Sequence, residues 1–125
     1  MCVGLAGYLV YQYIVAVTEP AFFILTALVG GPRHGYGIVG EVAELSRGRV
    51  QLKIGTLYGV LDRLVGDGLV ELDREEAERG RLRRYYRLTG AGRHELSAEA
   101  ERQAANSRIA TDRLRMFQPA KAETA

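Results

Sequence analysis

The sequence is poor in the residues that usually build reactive sites. Its 125 residues include one cysteine, Cys2, and two histidines, His34 and His94. A single cysteine excludes an internal disulfide and is compatible with a reducing compartment. A metal site of the usual Cys/His kind would lack ligands, and no His, Cys and acid set could form a nucleophilic triad. We therefore expect no metal, no cofactor, no catalytic residues and no enzymatic activity.

Long apolar runs and a large excess of charge are also absent. The most apolar stretch, residues 1–17, is shorter than the roughly 20 residues that a membrane span needs, and it contains Gln12. A signal peptide would require a positively charged start, but no lysine or arginine precedes this stretch. The formal net charge is +2, too small by itself to indicate a polyanionic partner. Evidence for such a partner must come from where the charges lie.

The stretch from Val50 to Leu69 has the pattern of an amphipathic helix with one almost bare side. At 100° per residue, the apolar residues that fall together are Ile54, Leu57, Val60, Leu61 and Leu64. The opposite side carries Gly55, Thr56, Gly59, Asp62 and Arg63. Each exposed helical glycine costs about 1 kcal/mol relative to alanine. We interpret the bare side as a surface that approaches another molecule; a frayed helix of poor propensity is the alternative.

A two-stranded hairpin is predicted after this helix. Val70–Arg74 and Arg83–Leu88 have strand-like patterns, and a charged polar loop ending in Gly80 joins them. Tyr85 and Tyr86 alternate across the second strand, so one of them must face inward. A helix followed by an arginine-rich hairpin indicates a winged helix-turn-helix.

Two shorter helices are predicted before the amphipathic one. We expect Thr18 to be the N-cap of the first helix, which ends at the Gly30-Gly31-Pro32 turn. Its expected inward residues are Phe22, Leu25, Leu28 and Val29. The second opens near Gly35, with the expected inward residues Ile38, Val42 and Leu45. His34, beside the turn, is interpreted as a local hydrogen-bonding residue, with a ligand or phosphate contact as the alternative.

A last helix is predicted from about Gly90 to about Phe117, capped by Thr89. About 27 residues at 1.5 Å each make a helix about 40 Å long, more than one small domain can cover. Its apolar residues therefore need a second chain, unless the helix is solvated and held by charge pairs. The expected fold is mostly α with a small β-hairpin. Residues 18–88 form the winged helix-turn-helix domain and 89–117 a dimerisation helix. Residues 1–17 are an apolar extension, either packed or disordered, and 118–125 a disordered tail.

Three segments together resemble the PadR family of bacterial transcriptional regulators. They are TEPAFFILTALVGGPRHGYGI from Thr18, IGTLYGVLDRLVGDGLVE from Ile54, and GRLRRYYRLTGAGR from Gly80. The resemblance implies a cytoplasmic homodimer, without a membrane segment, that binds double-stranded DNA at a palindromic operator. It also implies a repressor relieved by a small-molecule effector, and a last helix that packs with the first helix of a second subunit. A protein-interaction module that kept the winged helix but lost DNA contact is the alternative.

The candidate sites follow from these patterns. The expected DNA-binding residues are Lys53, Thr56, Tyr58, Arg63, Arg81, Arg83 and Arg84. Arg81, Arg83 and Arg84, in the predicted hairpin, could instead be structural salt-bridge partners of Glu75, Glu76 or Glu78. The expected dimer-interface residues are Phe22, Phe23, Leu96, Ile109, Leu114 and Phe117.

Overall fold

Four helices and a small antiparallel sheet make up the fold in the computed structural model, which describes residues 18–119. In chain order the elements are α1 (Glu19–Ala27), β1 (Arg33–His34), α2 (Gly35–Leu45), α3 (Ile54–Gly66), β2 (Val70–Glu78), β3 (Arg81–Leu88) and α4 (Gly90–Met116). The expected mostly α architecture with a β-hairpin and a long C-terminal helix is confirmed. The predictions for residues 1–17, and for the tail beyond residue 119, lie outside the described residues.

The core lies between α1, α2 and α3. Its largest fully buried apolar side chains are Ile24, Leu28, Ile38, Val42, Leu57, Leu61, Leu64 and Val70. The apolar stripe predicted for α3 is confirmed, because Leu57, Leu61 and Leu64 are fully buried. Ile54 and Val60, its other two members, are partly buried against the same core. Two predicted inward residues were wrong: Val29 and Leu45 are each 41% exposed. Val29 lies in the turn after α1 and Leu45 is the last residue of α2, where the helical period no longer determines the buried side.

The hairpin is longer than predicted, and its charged loop is mostly strand. β2 and β3 pair in antiparallel fashion from Val70 opposite Leu88 to Glu78 opposite Arg81. Only Arg79 and Gly80 form the turn, and both have positive φ, as a type I′ hairpin turn requires. Acidic residues have low strand propensity, which led to the prediction of a loop. Here they lie beside arginines of the opposite strand, and such cross-strand pairs stabilise a sheet.

A third, very short strand ties α2 to the wing. β1 pairs with β3, placing Arg33 opposite Tyr86 and His34 opposite Tyr85. Tyr86 is the tyrosine that faces the core, and Tyr85 lies on the other side of the sheet. β3 is therefore the central strand, in the order β1-β3-β2.

Helix α4 begins against the domain and then leaves it. Oγ1 of Thr89 accepts a hydrogen bond from the backbone N–H of Gly92 at 2.9 Å, which confirms Thr89 as the N-cap. Gly92 packs so closely on the Leu69 carbonyl that a Cβ would not fit. Leu96 still packs against the core. From residue 100 to residue 119 every side chain is exposed.

Candidate nucleic-acid interface

The outer side of α3 is bare in the folded chain. All five residues assigned to it from the sequence are exposed. A Cβ added to Gly55 or Gly59 would meet no atom of the described chain within 4 Å. Packing inside the chain therefore gives no reason for glycine at these two positions. Their effect is to leave the helix backbone open to a close approach from outside.

Two unpaired cations flank this bare side. Lys53 is the N-cap residue of α3, and Arg63 lies ten residues later, about 15 Å along the helix. Thr56 lies between them on the same side. Within residues 18–119, no acidic side chain forms an ion pair with Lys53 or Arg63. Their charge is therefore available to an external anion.

Tyr58 occupies a different position from Thr56, because it joins α3 to the rest of the domain. Its ring centroid is 6.5 Å from that of Tyr86. A Cβ at Gly35 would lie 2.5 Å from the Tyr58 hydroxyl oxygen, so any larger residue where α2 begins would displace the Tyr58 ring. Tyr58 remains 36% exposed. Its side chain is thus a packing residue with one edge toward solvent.

Most arginines of the wing, defined as β2, β3 and their turn, are paired with acids of the same hairpin. The pairs are Arg74 with Asp73 and Glu76, Arg83 with Glu78, Arg84 with Glu75, and Arg87 with Glu71 and Asp73. The Tyr86 hydroxyl and the Glu75 carboxylate raise the pKa of Arg84. Much of the wing's positive charge is therefore balanced locally, as the structural alternative for Arg83 and Arg84 predicted.

The tip of the wing differs from its body. Arg79 lies in the turn and Arg81 begins β3, and both are exposed. Neither forms an ion pair with any residue between 18 and 119. Arg79 was not among the predicted DNA-binding residues, because only the two-residue turn places it at the tip. A single-sequence pattern gave no sign that the acidic run was strand.

His34 lies where α2, α3 and the wing meet. Its Nδ1 accepts a hydrogen bond from the Gly37 backbone N–H at 3.2 Å, as the N-cap of α2. Its Nε2 lies 2.7 Å from Nη1 of Arg83. The imidazole ring also meets Tyr85 edge to face, with centroids 5.3 Å apart. The interpretation of His34 as a local hydrogen-bonding residue is confirmed.

The surroundings of His34 favour its neutral form. Burial lowers the pKa of His34, the nearby guanidinium of Arg83 lowers it further, and Glu78 opposes this effect. A cavity of about 100 Å³ opens beside the imidazole. Its walls include Gly35, Tyr36, Tyr58, Arg81 and Arg83. The cavity joins the start of α2, Tyr58 of α3 and the wing.

The predicted dimer residues fall into two groups. Ile109 and Leu114 on the distal part of α4, and Phe117 at its C-cap, are 67–73% exposed. Leu96 instead packs, partly buried, against the core of its own chain. The rings of Phe22 and Phe23 meet edge to face, with centroids 5.5 Å apart, and both are half-buried. The free apolar surface of α4 therefore begins beyond Leu96.

We also searched the described residues for metal sites and for helices that could span a membrane. Between residues 18 and 119, no group of three or more His, Cys, Asp and Glu side chains could hold a metal ion. In the same range no helix has the length and apolar character to cross a membrane.

Comparison with known sequences identifies similar proteins. The family model of the transcriptional regulator PadR-like family matches residues 24–98. A transposon-encoded, uncharacterized 37.1 kDa protein of Streptomyces fradiae is 43% identical over 86 residues, which are 69% of this chain and 23% of that protein. A transcriptional regulator of Mycobacterium tuberculosis is 45% identical over 56 residues, 45% of this chain and 51% of that one. The chain thus spans about a quarter to a half of these two relatives.

Solved structures share the fold. A PadR family transcription regulator from Clostridium difficile R20291 superimposes with a TM-score of 0.55 and 26% identity, covering 82% of this chain and 100% of that chain. Bacillus subtilis PadR, crystallised in complex with operator DNA, gives a TM-score of 0.56 and 26% identity over 62% of this chain and 44% of that chain.

Proposed function

This chain belongs to the PadR-like family of transcriptional regulators, and on that premise we propose that it binds double-stranded DNA sequence-specifically. The observation that carries the proposal is the bare side of α3. Its two glycines are unexplained by packing within the described chain, and Lys53 and Arg63 flank them without acidic partners among residues 18–119. Such a surface fits the major groove, where a helix must approach base edges closely.

The arrangement supports a division of work between helix and wing. The N-terminal half of α3 enters the major groove, and Thr56 contacts base edges there. The wing tip, with Arg79 and Arg81, reaches phosphates, which position the protein without reading sequence. Bacillus subtilis PadR, a structural neighbour of this chain, was crystallised in complex with operator DNA, which supports DNA binding by this fold. Action on DNA would place the protein in the cytoplasm.

The proposal includes a homodimer. One winged helix contacts only a half-site, and the distal part of α4 carries exposed apolar residues, among them Ile109 and Leu114. Two copies related by a two-fold axis would bury these residues and place their α3 helices about 34 Å apart, one turn of DNA. The operator would then be palindromic. Phe22 and Phe23 on α1 are the candidate contacts for the α4 of the partner.

DNA binding is tested by selecting duplexes from a random pool with the full chain and measuring affinity by fluorescence anisotropy. We expect a palindromic sequence to be enriched and to bind more tightly than its shuffled version at the same salt concentration. Thr56→Ala should weaken binding to the selected duplex and leave the shuffled one unchanged. Equal binding to both duplexes, or none, would instead favour a protein-interaction module.

The dimer is tested by light scattering on an Ile109→Glu/Leu114→Glu double variant. Both side chains are exposed on the described chain, so the substitutions leave the core of the chain intact. We expect the wild-type protein to have twice the chain mass at micromolar concentration and the variant to be monomeric. Ser107→Glu, an exposed α4 position, is the matched control. A wild-type monomer would contradict this part of the proposal.

Repression and its relief by a small molecule complete the proposal. In the test, the selected duplex is cloned upstream of a reporter gene, and expression is measured with and without the chain. We expect lower expression when the chain is present; higher expression would make it an activator. Mass spectrometry of small molecules that copurify with the dimer supplies the candidate effectors, which should then weaken DNA binding in the anisotropy assay.

A further inference from the structure

Asp62 is the single acidic residue of helix α3, and its side chain is exposed on the bare side. At 100° per residue, Asp62, Gly55 and Gly59 fall within about 60° of one another around the helix axis. Asp62 lies about 10 Å beyond Gly55 along the same side. The two glycines have no side chain, so the carboxylate of Asp62 is the group on this line that extends farthest from the helix.

The carboxylate of Asp62 has neither an ion pair nor a hydrogen bond with any residue between 18 and 119. No residue three or four positions away along α3 is a cation. On α4, by contrast, Glu99 and Asp112 each pair with an arginine three residues later. Tyr86 lies nearby: burial chiefly raises the pKa of its hydroxyl, and the charge of Asp62 adds the smallest share of that rise. Contacts within the described residues therefore give no reason for an acid at this position.

An acid on a side that faces DNA is unfavourable unless it meets a hydrogen-bond donor. Phosphates repel its charge, and a carboxylate that loses water without gaining a new hydrogen bond is strongly destabilised. In the major groove, the donors are the amino groups of adenine and cytosine. Adenine also presents its N7 acceptor beside that amino group, whereas cytosine presents N4 without an acceptor of its own. Cytosine is therefore the base whose edge suits a carboxylate.

We propose that Asp62 determines operator specificity by accepting a hydrogen bond from N4 of one cytosine in each half-site. This inference rests on the proposed function, in which α3 enters the major groove. Gly55 and Gly59 allow the helix backbone to approach the bases, and the short side chain of Asp62 then reaches a base edge. Thr56 lies about 9 Å away along the helix, more than two base-pair steps of about 3.4 Å, so the two side chains contact different base pairs. Guanine and thymine present acceptors in the major groove, so Asp62 also disfavours them.

The first test compares the duplexes that the wild type and Asp62→Asn select from the same random pool. A carboxamide has nearly the shape of a carboxylate, but it pairs with N6 and N7 of adenine. We expect the wild type to enrich cytosine at one position of each half-site and Asp62→Asn to enrich adenine there, with the other positions unchanged. Glu44→Gln, which removes an exposed acid from α2, is the matched control and should select the wild-type sequence.

Modified cytosines in the selected duplex test the atom that Asp62 contacts. N4-methylcytosine keeps its pair with guanine but replaces the amino hydrogen that faces the major groove. We expect it to weaken binding of the wild type about tenfold and to leave the affinity of Asp62→Ala unchanged. 5-Methylcytosine, which keeps both amino hydrogens, is the control for an added methyl group at the same base edge. Equal losses in both proteins with N4-methylcytosine would overturn the proposal.

A solvated acid that only repels DNA would give a different result. Asp62→Ala and Asp62→Asn would then bind the selected and the shuffled duplex more tightly by the same factor, and both would select the wild-type sequence. That outcome would overturn the proposal, as would a wild-type selection without cytosine in the half-sites. A wild-type chain that enriches no sequence at all would refute the proposed function instead.

Discussion

Helix α3 and the wing are both rich in cations in the sequence, yet they differ in how much of that charge is free. Lys53 and Arg63 on α3 form no ion pair within residues 18–119, whereas Arg84 and Arg87 of the wing are held by acids of the adjacent strand. The difference arises from strand pairing. Antiparallel register places acids of β2 opposite arginines of β3, while α3 has no paired strand to bring acids beside its two cations.

This difference shows that the number of arginines in a segment does not measure its affinity for a polyanion. An exposed ion pair contributes about 0–1 kcal/mol to stability, so a DNA phosphate can displace the acid. The displaced carboxylate then remains near the phosphate and repels it. Each paired arginine therefore adds less to DNA affinity than an unpaired one.

The largest expected effect comes from removing the free cations of α3. Lys53→Ala/Arg63→Ala should weaken binding to the selected duplex by about 1–3 kcal/mol for each residue that contacts a base. Arg84→Ala/Arg87→Ala removes the same charge from the wing and should cost clearly less. Anisotropy titrations at one salt concentration compare the two variants. Equal losses would contradict the distinction between helix and wing.

Replacing the two glycines of α3 by alanine should stabilise the fold and weaken DNA binding. Gly55→Ala/Gly59→Ala should raise the free energy of unfolding by about 1 kcal/mol per site, because alanine is the better helix former and the space is open. The added methyl groups should also weaken DNA binding. Gly40→Ala on α2, equally open, should stabilise the protein without changing affinity. Chemical denaturation and anisotropy give the two readouts, and unchanged affinity in the α3 variant would exclude close approach at this face.

Helical periodicity explains which features the sequence could predict. The stripe of α3 and the extent of α4 depend on local spacing and capping, so they followed from the residues themselves. The full strands of the wing did not, because the acidic run becomes strand only beside the arginines of β3. The contact of His34 with Arg83 joins residues 49 apart. No local pattern indicates it, and it exists only because β1 pairs with β3.

The tip and body of the wing should differ in their dependence on salt. Arg79→Ala/Arg81→Ala should flatten the plot of log affinity against log salt by up to about 0.9 for each phosphate that the variant no longer neutralises. Arg74→Ala/Arg87→Ala, a change of equal charge in the paired body, should alter the slope less. Measurements with the shuffled duplex remove the contribution of base contacts. A larger change in the body variant would show that its ion pairs open on DNA.

The smallest expected effect is a dependence of stability on pH at the junction of α2 and the wing. The pKa of His34 is lowered in the folded chain from its ordinary value of 6.5, so the unfolded chain binds the proton more readily. The stability that comes from neutral His34 is therefore complete above pH 6.5 and is lost as the pH falls through the lower folded pKa. The loss should not exceed the value of one N-cap, about 0.5–2 kcal/mol.

Denaturation curves of the full chain at several pH values between about 7.5 and 5 measure this effect, because that range spans the ordinary pKa of histidine. As the pH is lowered, the free energy of unfolding should decrease in the wild type. It should decrease less steeply in His34→Ser, because the serine cap does not titrate. His94→Ser, on the exposed surface of α4, is the matched control and should follow the wild type. Parallel curves for the wild type and His34→Ser would show that the folded chain does not favour the neutral imidazole.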